Sequence, residues 1–502
     1  MFSLEEIFRY SAKQPLLFNQ YFFLLLFTLM FGGYTVLNKH VRIRNFYLLI
    51  FSLFFYFKCS GFYFCLLLFS TLVDYGVGFG IYAAKQKWKK RLYLYVSLIT
   101  NIGLLTFFKY SYFFVDSING WLGTDFKTIN FLAVFSNGAF DTGFEINEII
   151  LPVGISFYTF QTLSYSIDIY RGRLKPCGNI FDFAFFVSFF PQLVAGPIVR
   201  ASEFLPQIKR PYYLSSNGFG TAVFLIMAGL VKKVVISDYI SINFVDRVFE
   251  TPEVYSGFMN LMAVYGYSIQ IYCDFSGYSD IAIGLAALLG FKLPENFNSP
   301  YKSQSLTEFW RRWHISLSSW LRDYLYISIG GNRKGKIRMY VNLIITMLLG
   351  GLWHGAATKF IVWGMLHGAG LATHRMWANR FNLANTKVGQ VTAVLITFHF
   401  VAFSWMYFRA SDMATVEAMA STIFTDFDFS GVFSRTVAYW KVFVLMFIGY
   451  VVHMLPSSLK NRLQSWFTEA PIYVKTLIFV LVVFGIYQAT SADLQPFIYF
   501  QF

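Results

Sequence analysis

The chain has 502 residues, of which 56% are hydrophobic and only 13% are charged, with 61 phenylalanines and a net charge of +15. Globular proteins carry about 25% charged residues, so this composition cannot cover a water-facing surface and excludes a set of soluble domains. The excess of Lys and Arg fits loops held at the cytoplasmic face of a membrane better than nucleic-acid binding.

Long apolar stretches recur along the whole chain. A membrane-spanning helix needs about 20 mostly apolar residues, and Leu16–Leu37 is a charge-free stretch of that length. The residues before it lack the apolar core of a signal peptide, so we expect this first segment to be retained. The other candidate segments are Phe46–Phe57 with Gly61–Leu72, Leu92–Val115, Ile149–Ile169, Phe181–Val199, Phe219–Ile236, Phe258–Phe291, Tyr340–Trp353, Phe360–His374, Val388–Phe408, Val442–Leu455 and Leu477–Ala489.

These stretches predict an all-α, polytopic membrane protein that forms a single domain over residues 1–502. We expect about 11 to 13 membrane segments, some of them re-entrant. Basic residues gather in Asn38–Arg44, Lys85–Arg91 and Arg171–Lys175, which predicts that these loops are cytoplasmic. Acidic residues predominate in Asp116–Glu148, which predicts an external loop and an external N-terminus.

The stretch Lys292–Arg338 interrupts the apolar pattern with nine basic and three acidic residues. Within it, apolar and aromatic residues recur at helical spacing, and polar residues occupy another face. The pattern predicts an amphipathic helix on the cytoplasmic side, either flat at the membrane interface or packed into the bundle, followed by a turn at Gly330–Asn332. The apolar stripe is Trp310, Trp313, Leu317, Leu321 and Tyr324, and the polar face is Arg312, Ser316, Ser319 and Asp323.

Histidines inside apolar segments are the first candidates for chemistry, because a polar group in a membrane is costly. His354 lies between Trp353 and Gly355, and a helix starting near Tyr340 would place it about 21 Å along its length. His314 lies beside Arg312 and the aromatic stripe. Spacing alone leaves catalysis and a structural role equally open for both histidines.

The remaining polar candidates have simpler interpretations. His40 lies in a basic loop, where we expect it to be solvated, and His399 and His453 are single histidines for which structural roles are expected. His367 and His374 share a helix face, but no third ligand has a recognisable spacing, so no metal site is predicted. Asp274 and Asp280 are interpreted as polar contacts that fix helix packing, and Cys59, Cys65, Cys177 and Cys273 are assigned no role.

Several long motifs, in order along the chain, resemble the membrane-bound O-acyltransferase family in its bacterial, alginate O-acetyltransferase-like branch. The most specific are Phe309–Gly331 and Gly350–Gly355. The others are Leu151–Gln161, Ser164–Arg171, Phe189–Arg200, Tyr272–Gly284, Asn296–Tyr301 and the ending Pro496–Phe502. The Ser3–Pro15 extension departs from the commonest start of the branch.

The resemblance implies a helical fold around a transmembrane tunnel, with His354 and His314 as the catalytic pair. We expect His354 to take the proton of the acceptor hydroxyl and His314 to orient or polarise the reacting groups. No bound cofactor is expected. The acyl donor would be acetyl-CoA or an acylated carrier protein, received by the basic segment. Its predicted substrate-binding residues are Arg311, Arg312, Trp310, Trp313 and Asp323, together with Trp353.

By the same resemblance, the acetyl group passes to an extracytoplasmic partner of the SGNH-hydrolase type, which modifies an exopolysaccharide or cell-wall glycan. The expected location is the bacterial cytoplasmic (inner) membrane. Within the family the alternative is D-alanyl transfer to teichoic acid. A different class, a transporter of lipid-linked saccharide, would show paired repeats of broken helices. The sequence contains no visible repeat of that kind.

Overall fold

The computed structural model describes residues 10–11, 15–377 and 386–489, and within these ranges it contains helices and no β-strand. The all-α prediction is confirmed. The predicted motif at Pro496–Phe502 and most of the Ser3–Pro15 extension lie outside the described residues.

The helices follow the apolar stretches closely in the first half of the chain. A 3-10 turn at Gly61–Tyr63 separates the second helix from the third. The α-helices are α1 Tyr21–Leu37, α2 Val41–Ser60, α3 Phe64–Ala83, α4 Lys87–Leu122, α5 Phe131–Phe140, α6 Ile155–Tyr170, α7 Ile180–Ser188, α8 Phe190–Leu193, α9 Ala201–Ile208 and α10 Ser216–Leu230.

In the second half, α10 continues through two π-helical stretches, Val231–Asp238 and Ser241–Val245, into a short helix. A third π-helical stretch, Leu321–Tyr326, follows α14. The remaining α-helices are α11 Asp246–Glu250, α12 Gly257–Leu288, α13 Leu306–Arg312, α14 Ile315–Trp320, α15 Lys336–His354, α16 Thr358–Trp377, α17 Lys387–Arg409, α18 Met413–Thr425, α19 Val432–Ala438, α20 Trp440–Met454, α21 Ser457–Glu469 and α22 Ile472–Ala489.

The helices include complete membrane spans and also shorter or bent apolar helices, which the prediction counted together as membrane segments. Among the described residues, five helical stretches are long and apolar enough to cross a membrane, or seven if two bent helix pairs each count as one span. This criterion counts complete spans, whereas the predicted range of about 11 to 13 segments includes re-entrant ones. The difference arises because the Phe181–Val199 stretch is divided between the short helices α7 and α8, whereas α12 carries polar residues along its length.

Two ion pairs, one buried and one partly exposed, join α12 to the π-helical stretch that follows α10. Asp274 lies 2.5 Å from the Lys233 ammonium, and Asp280 lies 2.6 Å from Lys232. A buried charge needs a partner of opposite sign. Both aspartates therefore fix helix packing, as predicted.

Close backbone contact joins α15 and α16 into a hairpin. A Cβ atom added at Gly351 would lie 2.2 Å from the carbonyl oxygen of Phe360, and one added at Gly364 would lie 2.5 Å from that of Met347. Only glycine permits this approach, which small residues commonly provide between membrane helices. The hairpin fixes where α15 ends, and α15 carries His354.

The predicted orientation can be tested by cysteine labelling. We expect a cysteine replacing the exposed Asn332 to react only with a reagent supplied from the cytoplasmic side, because Lys292–Arg338 is strongly basic. A cysteine replacing the exposed Asp125 is the matched control and should react from outside. Cys65 and Cys177, which are not fully buried, are first changed to Ser. External labelling at Asn332 would show that the orientation is wrong.

Candidate active site

His354 is the last residue of α15, not a residue in the middle of a helix. Its side chain is 3% exposed. After it the chain leaves the helix in an extended conformation at Gly355, where an added Cβ would lie 2.1 Å from the Phe360 ring. The imidazole centre lies 4.9 Å from the ring of Trp353, and the rings of Trp363 and Phe408 lie 5.2 and 5.0 Å away.

His314 lies at a break between two helices, so the single amphipathic helix predicted from Trp310 to Tyr324 is wrong. The first helix, α13, ends at Arg312, and α14 begins at Ile315. His314 adopts φ 42° and ψ 56°, a left-handed conformation that costs a non-glycine residue about 1–3 kcal/mol. Such strain persists only where the surrounding structure imposes it, and it is concentrated at functional sites.

Asn296 stabilises the break between α13 and α14 by hydrogen bonds. Its Oδ1 accepts hydrogen bonds from the backbone N–H and the hydroxyl of Ser316, at 3.2 and 2.9 Å, and lies 3.1 Å from His314 Nδ1. Its backbone carbonyl accepts from the N–H of Ile315 at 2.9 Å. Because Oδ1 is an acceptor, Nδ1 of the neutral imidazole carries the proton, and Nε2 is the acceptor of the ring.

The two histidines approach each other across Trp353. The imidazole centre of His314 lies 6.1 Å from the Trp353 ring, which in turn contacts His354. Phe157 lies against both His314 and Trp353, at 6.5 and 5.5 Å between ring centres. The structure therefore brings together two residues that lie far apart in the sequence.

A pocket of about 80 Å³ opens beside this pair. Trp353 and Phe157 form part of its wall, and Lys109 contributes a charged group. The loop that leads into α6 supplies most of the remaining wall. The lining residues are Lys109, Leu151, Pro152, Val153, Gly154, Ile155, Ser156, Phe157, Val194 and Trp353.

Of the predicted substrate-binding residues, only Trp353 lies directly beside His354. Trp313 is buried, and its ring centre lies 5.0 Å from that of Trp405. Trp310 donates a hydrogen bond to Nδ1 of His367 at 3.3 Å. Trp310 and Trp313 thus belong to the aromatic packing around the pair.

The predicted charged residues lie away from the two imidazoles. Arg311 is exposed, and Arg312 is paired with Glu308 at 2.8 Å. Asp323 is paired with Arg200 and Arg322, each at 2.7 Å. Burial alone would raise the pKa of the Asp323 carboxyl, but hydrogen bonds from these two guanidinium groups hold it below its ordinary value.

His367, His453 and His399 make hydrogen bonds, and His40 is exposed. Nε2 of His367 lies 2.9 Å from the Ser404 hydroxyl, so both of its ring nitrogens are engaged. Nε2 of His453 accepts from the backbone N–H of Tyr301 at 3.1 Å. His399 bonds the carbonyl of Leu395 on its own helix at 2.8 Å, and His40 is exposed. Among the residues described, no group of His, Cys, Asp and Glu side chains is arranged to hold a metal.

Two residues near the pair were not predicted from the sequence: Asn296, which contacts His314, and Lys109. Lys109 is the one charged residue in the apolar stretch Leu92–Val115, a signal that identifies it as costly to bury. Asn296 lies within a motif that was noted, but nothing in the sequence indicates which residue it contacts.

Comparison with known proteins identifies relatives over most of the chain. The model of the membrane-bound O-acyltransferase family matches residues 81–416. A peptidoglycan O-acetyltransferase of Helicobacter pylori is 38% identical over 79% of this chain and 78% of its own length. A probable alginate O-acetylase of Pseudomonas putida is 35% identical over 97% of this chain and all of its own length. A teichoic acid D-alanyltransferase of Bacillus subtilis is 30% identical over 52% of this chain and 69% of its own length.

Replacing Asn296 by Ala tests the tether. We expect Asn296→Ala to lower the free energy of unfolding by about 1–3 kcal/mol, because buried partners of Oδ1 lose their acceptor. We also expect it to reduce the acyl-transfer rate, because His314 loses its orienting bond. Asn298→Ala is the control: Asn298 is exposed, and its backbone N–H bond to the Arg312 carbonyl at 2.9 Å is retained. Thermal unfolding and turnover in detergent measure both effects, and equal behaviour of the two variants would contradict the assigned role.

Proposed function

The chain belongs to the membrane-bound O-acyltransferase family, and on that basis we propose that it moves an acetyl group from a cytoplasmic thioester donor to an extracytoplasmic acceptor. It is a multi-pass membrane acyltransferase. The observation that carries the proposal is the convergence of His354 and His314 on Trp353, beside a pocket.

The reaction needs a base and support for developing negative charge. A hydroxyl oxygen of the acceptor attacks the thioester carbonyl carbon, and His354 takes the hydroxyl proton. A C–O bond forms, the C–S bond breaks, and the proton returns to the leaving sulfur as a thiol. His314 presents Nε2 toward the reacting groups, because Asn296 engages Nδ1. Histidine suits the role of base because its unperturbed pKa lies near neutral pH.

The donor in this proposal is acetyl-CoA or an acylated carrier protein. Both are anionic, and Lys292–Arg338 is the strongly basic part of the chain. Arg311 is the better candidate of the two predicted arginines for first contact, because it is exposed, whereas Glu308 already neutralises Arg312.

The acceptor in this proposal is an SGNH-hydrolase-like partner outside the cell membrane, which passes the acetyl group to an exopolysaccharide or cell-wall glycan. The relatives named for peptidoglycan and alginate O-acetylation support acetyl transfer to a glycan, since each aligns with more than three quarters of the chain. The D-alanyltransferase covers about half of it. D-alanyl transfer is therefore the second candidate. The proposed location is the bacterial cytoplasmic membrane.

Substitution of the two histidines tests the mechanism. We expect His354→Ala to reduce transfer from a labelled acetyl thioester to background, since the base is lost, with near-normal protein level and thermal stability. His314→Ala should reduce transfer less completely, because a supporting residue is often partly dispensable. His399→Ala is the control, since among the described residues its imidazole makes a hydrogen bond to a carbonyl of its own helix. An ordinary rate for folded His354→Ala would refute the assigned base.

Charge reversal at Arg311 tests the donor route. We expect Arg311→Glu to raise the KM for an anionic donor, with a larger increase at low salt, where charges are less screened. Lys89→Glu reverses an exposed charge in another predicted cytoplasmic segment and should leave KM unchanged. Steady-state kinetics at two ionic strengths measure the difference. An unchanged KM for Arg311→Glu would assign this residue a role in topology alone.

A further inference from the structure

Lys109 brings a positive charge from α4 to the end of the helix that carries His354. Its ammonium Nζ donates hydrogen bonds to the backbone carbonyls of Trp353 and His354, at 2.7 and 2.9 Å. The next residue, Tyr110, donates from its hydroxyl to the carbonyl of Leu352 at 2.6 Å. Two consecutive side chains of one helix therefore bind three consecutive carbonyls at the end of another.

These three carbonyls belong to the last turn of α15, whose carbonyls lack partners within the helix. In an apolar interior, a backbone carbonyl without a hydrogen-bond partner is costly. A cation is also favoured at a helix C-terminus, where the partial charges of the carbonyls are negative. Lys109 satisfies both requirements at the residue proposed as the base.

The Lys109 contact affects the wall of the pocket as well as the end of α15. The Lys109 ammonium lies 6.0 Å from the centre of the Trp353 ring, and both residues line the pocket of about 80 Å³. Movement of this ammonium would shift the backbone of His354 and the wall of the pocket together. Because α4 and α15 are separate elements, the position of His354 relative to the pocket depends on this bridge.

We infer that Lys109 is a positioning residue for His354, which holds the end of α15 so that the imidazole keeps its place against the pocket. The inference rests on the proposed role of His354 as the base. Misplacement of a reacting group by about 1 Å can cost a factor of about 100 in rate. Lys109 therefore affects turnover through geometry, while donor affinity depends on other residues.

The experiment compares full-length variants purified in detergent, with the acyl group that the wild type accepts, acetyl or D-alanyl, supplied as a thioester. Lys109→Met keeps the length of the side chain and removes its donors, and Lys109→Arg keeps the charge and the donors. Tyr110→Phe removes the neighbouring bond. The matched control is Lys475→Met, because Lys475 donates to the carbonyl of Thr468 in the last turn of α21 at 2.7 Å.

We expect Lys109→Met to lower kcat by about 10- to 100-fold, with a KM for the donor within about twofold of the wild type. Lys109→Arg should recover most of the loss, Tyr110→Phe should show a smaller decrease, and Lys475→Met should be unchanged. If Lys109→Met does not accumulate, Lys109→Gln, which keeps one donor group, replaces it.

The outcomes separate this inference from the proposed function. Wild-type transfer of D-alanyl and not acetyl overturns the acetyl proposal, and the Lys109 comparison then proceeds with D-alanyl. An active His354→Ala overturns both the base and the positioning role. Normal kcat in Lys109→Met beside an inactive His354→Ala overturns only the positioning role. Equal losses in Lys109→Met and Lys109→Arg, at unchanged thermal stability, also overturn it.

Discussion

The candidate active site depends on one constraint: the ends of helices inside a membrane protein expose backbone groups that water cannot satisfy. Both histidines lie at such ends, since His354 ends α15 and His314 precedes α14. A continuous helix would satisfy its own backbone but would keep each imidazole on a helix surface. Ending the helix releases the side chain from that surface and requires a partner from another element.

The two helix ends are satisfied by different chemistry. At His314 the partner is neutral: Asn296 accepts bonds through its amide oxygen and through its backbone carbonyl. At His354 the partner is the cation of Lys109, which meets carbonyls. Each partner matches the group exposed, because a helix start presents N–H donors and a helix end presents carbonyl acceptors. The strain at His314 is offset by these bonds.

Buried charges elsewhere in the chain have a different character. Lys233 is paired with Asp274 within a buried cluster that joins α12 to the segment after α10. Such pairs are matched in sign and serve packing. Lys109 differs, because its ammonium donates hydrogen bonds to backbone carbonyls at the end of the helix that carries His354. The chemical type of the partner group, and not burial alone, distinguishes a charged side chain that serves packing from one that affects the candidate site.

The sequence alone determined the helical class, most helix positions and the motif residues His354 and His314. These features are local: apolar runs of about 20 residues define membrane helices wherever they occur. The tertiary structure decided where the amphipathic pattern breaks. Contact with Asn296 imposes a left-handed conformation on His314, and residue spacing cannot predict that contact. It also decided that Lys109 contacts α15. Hydrogen bonds between segments far apart in the chain depend on how the helices pack, which the sequence of either helix does not show.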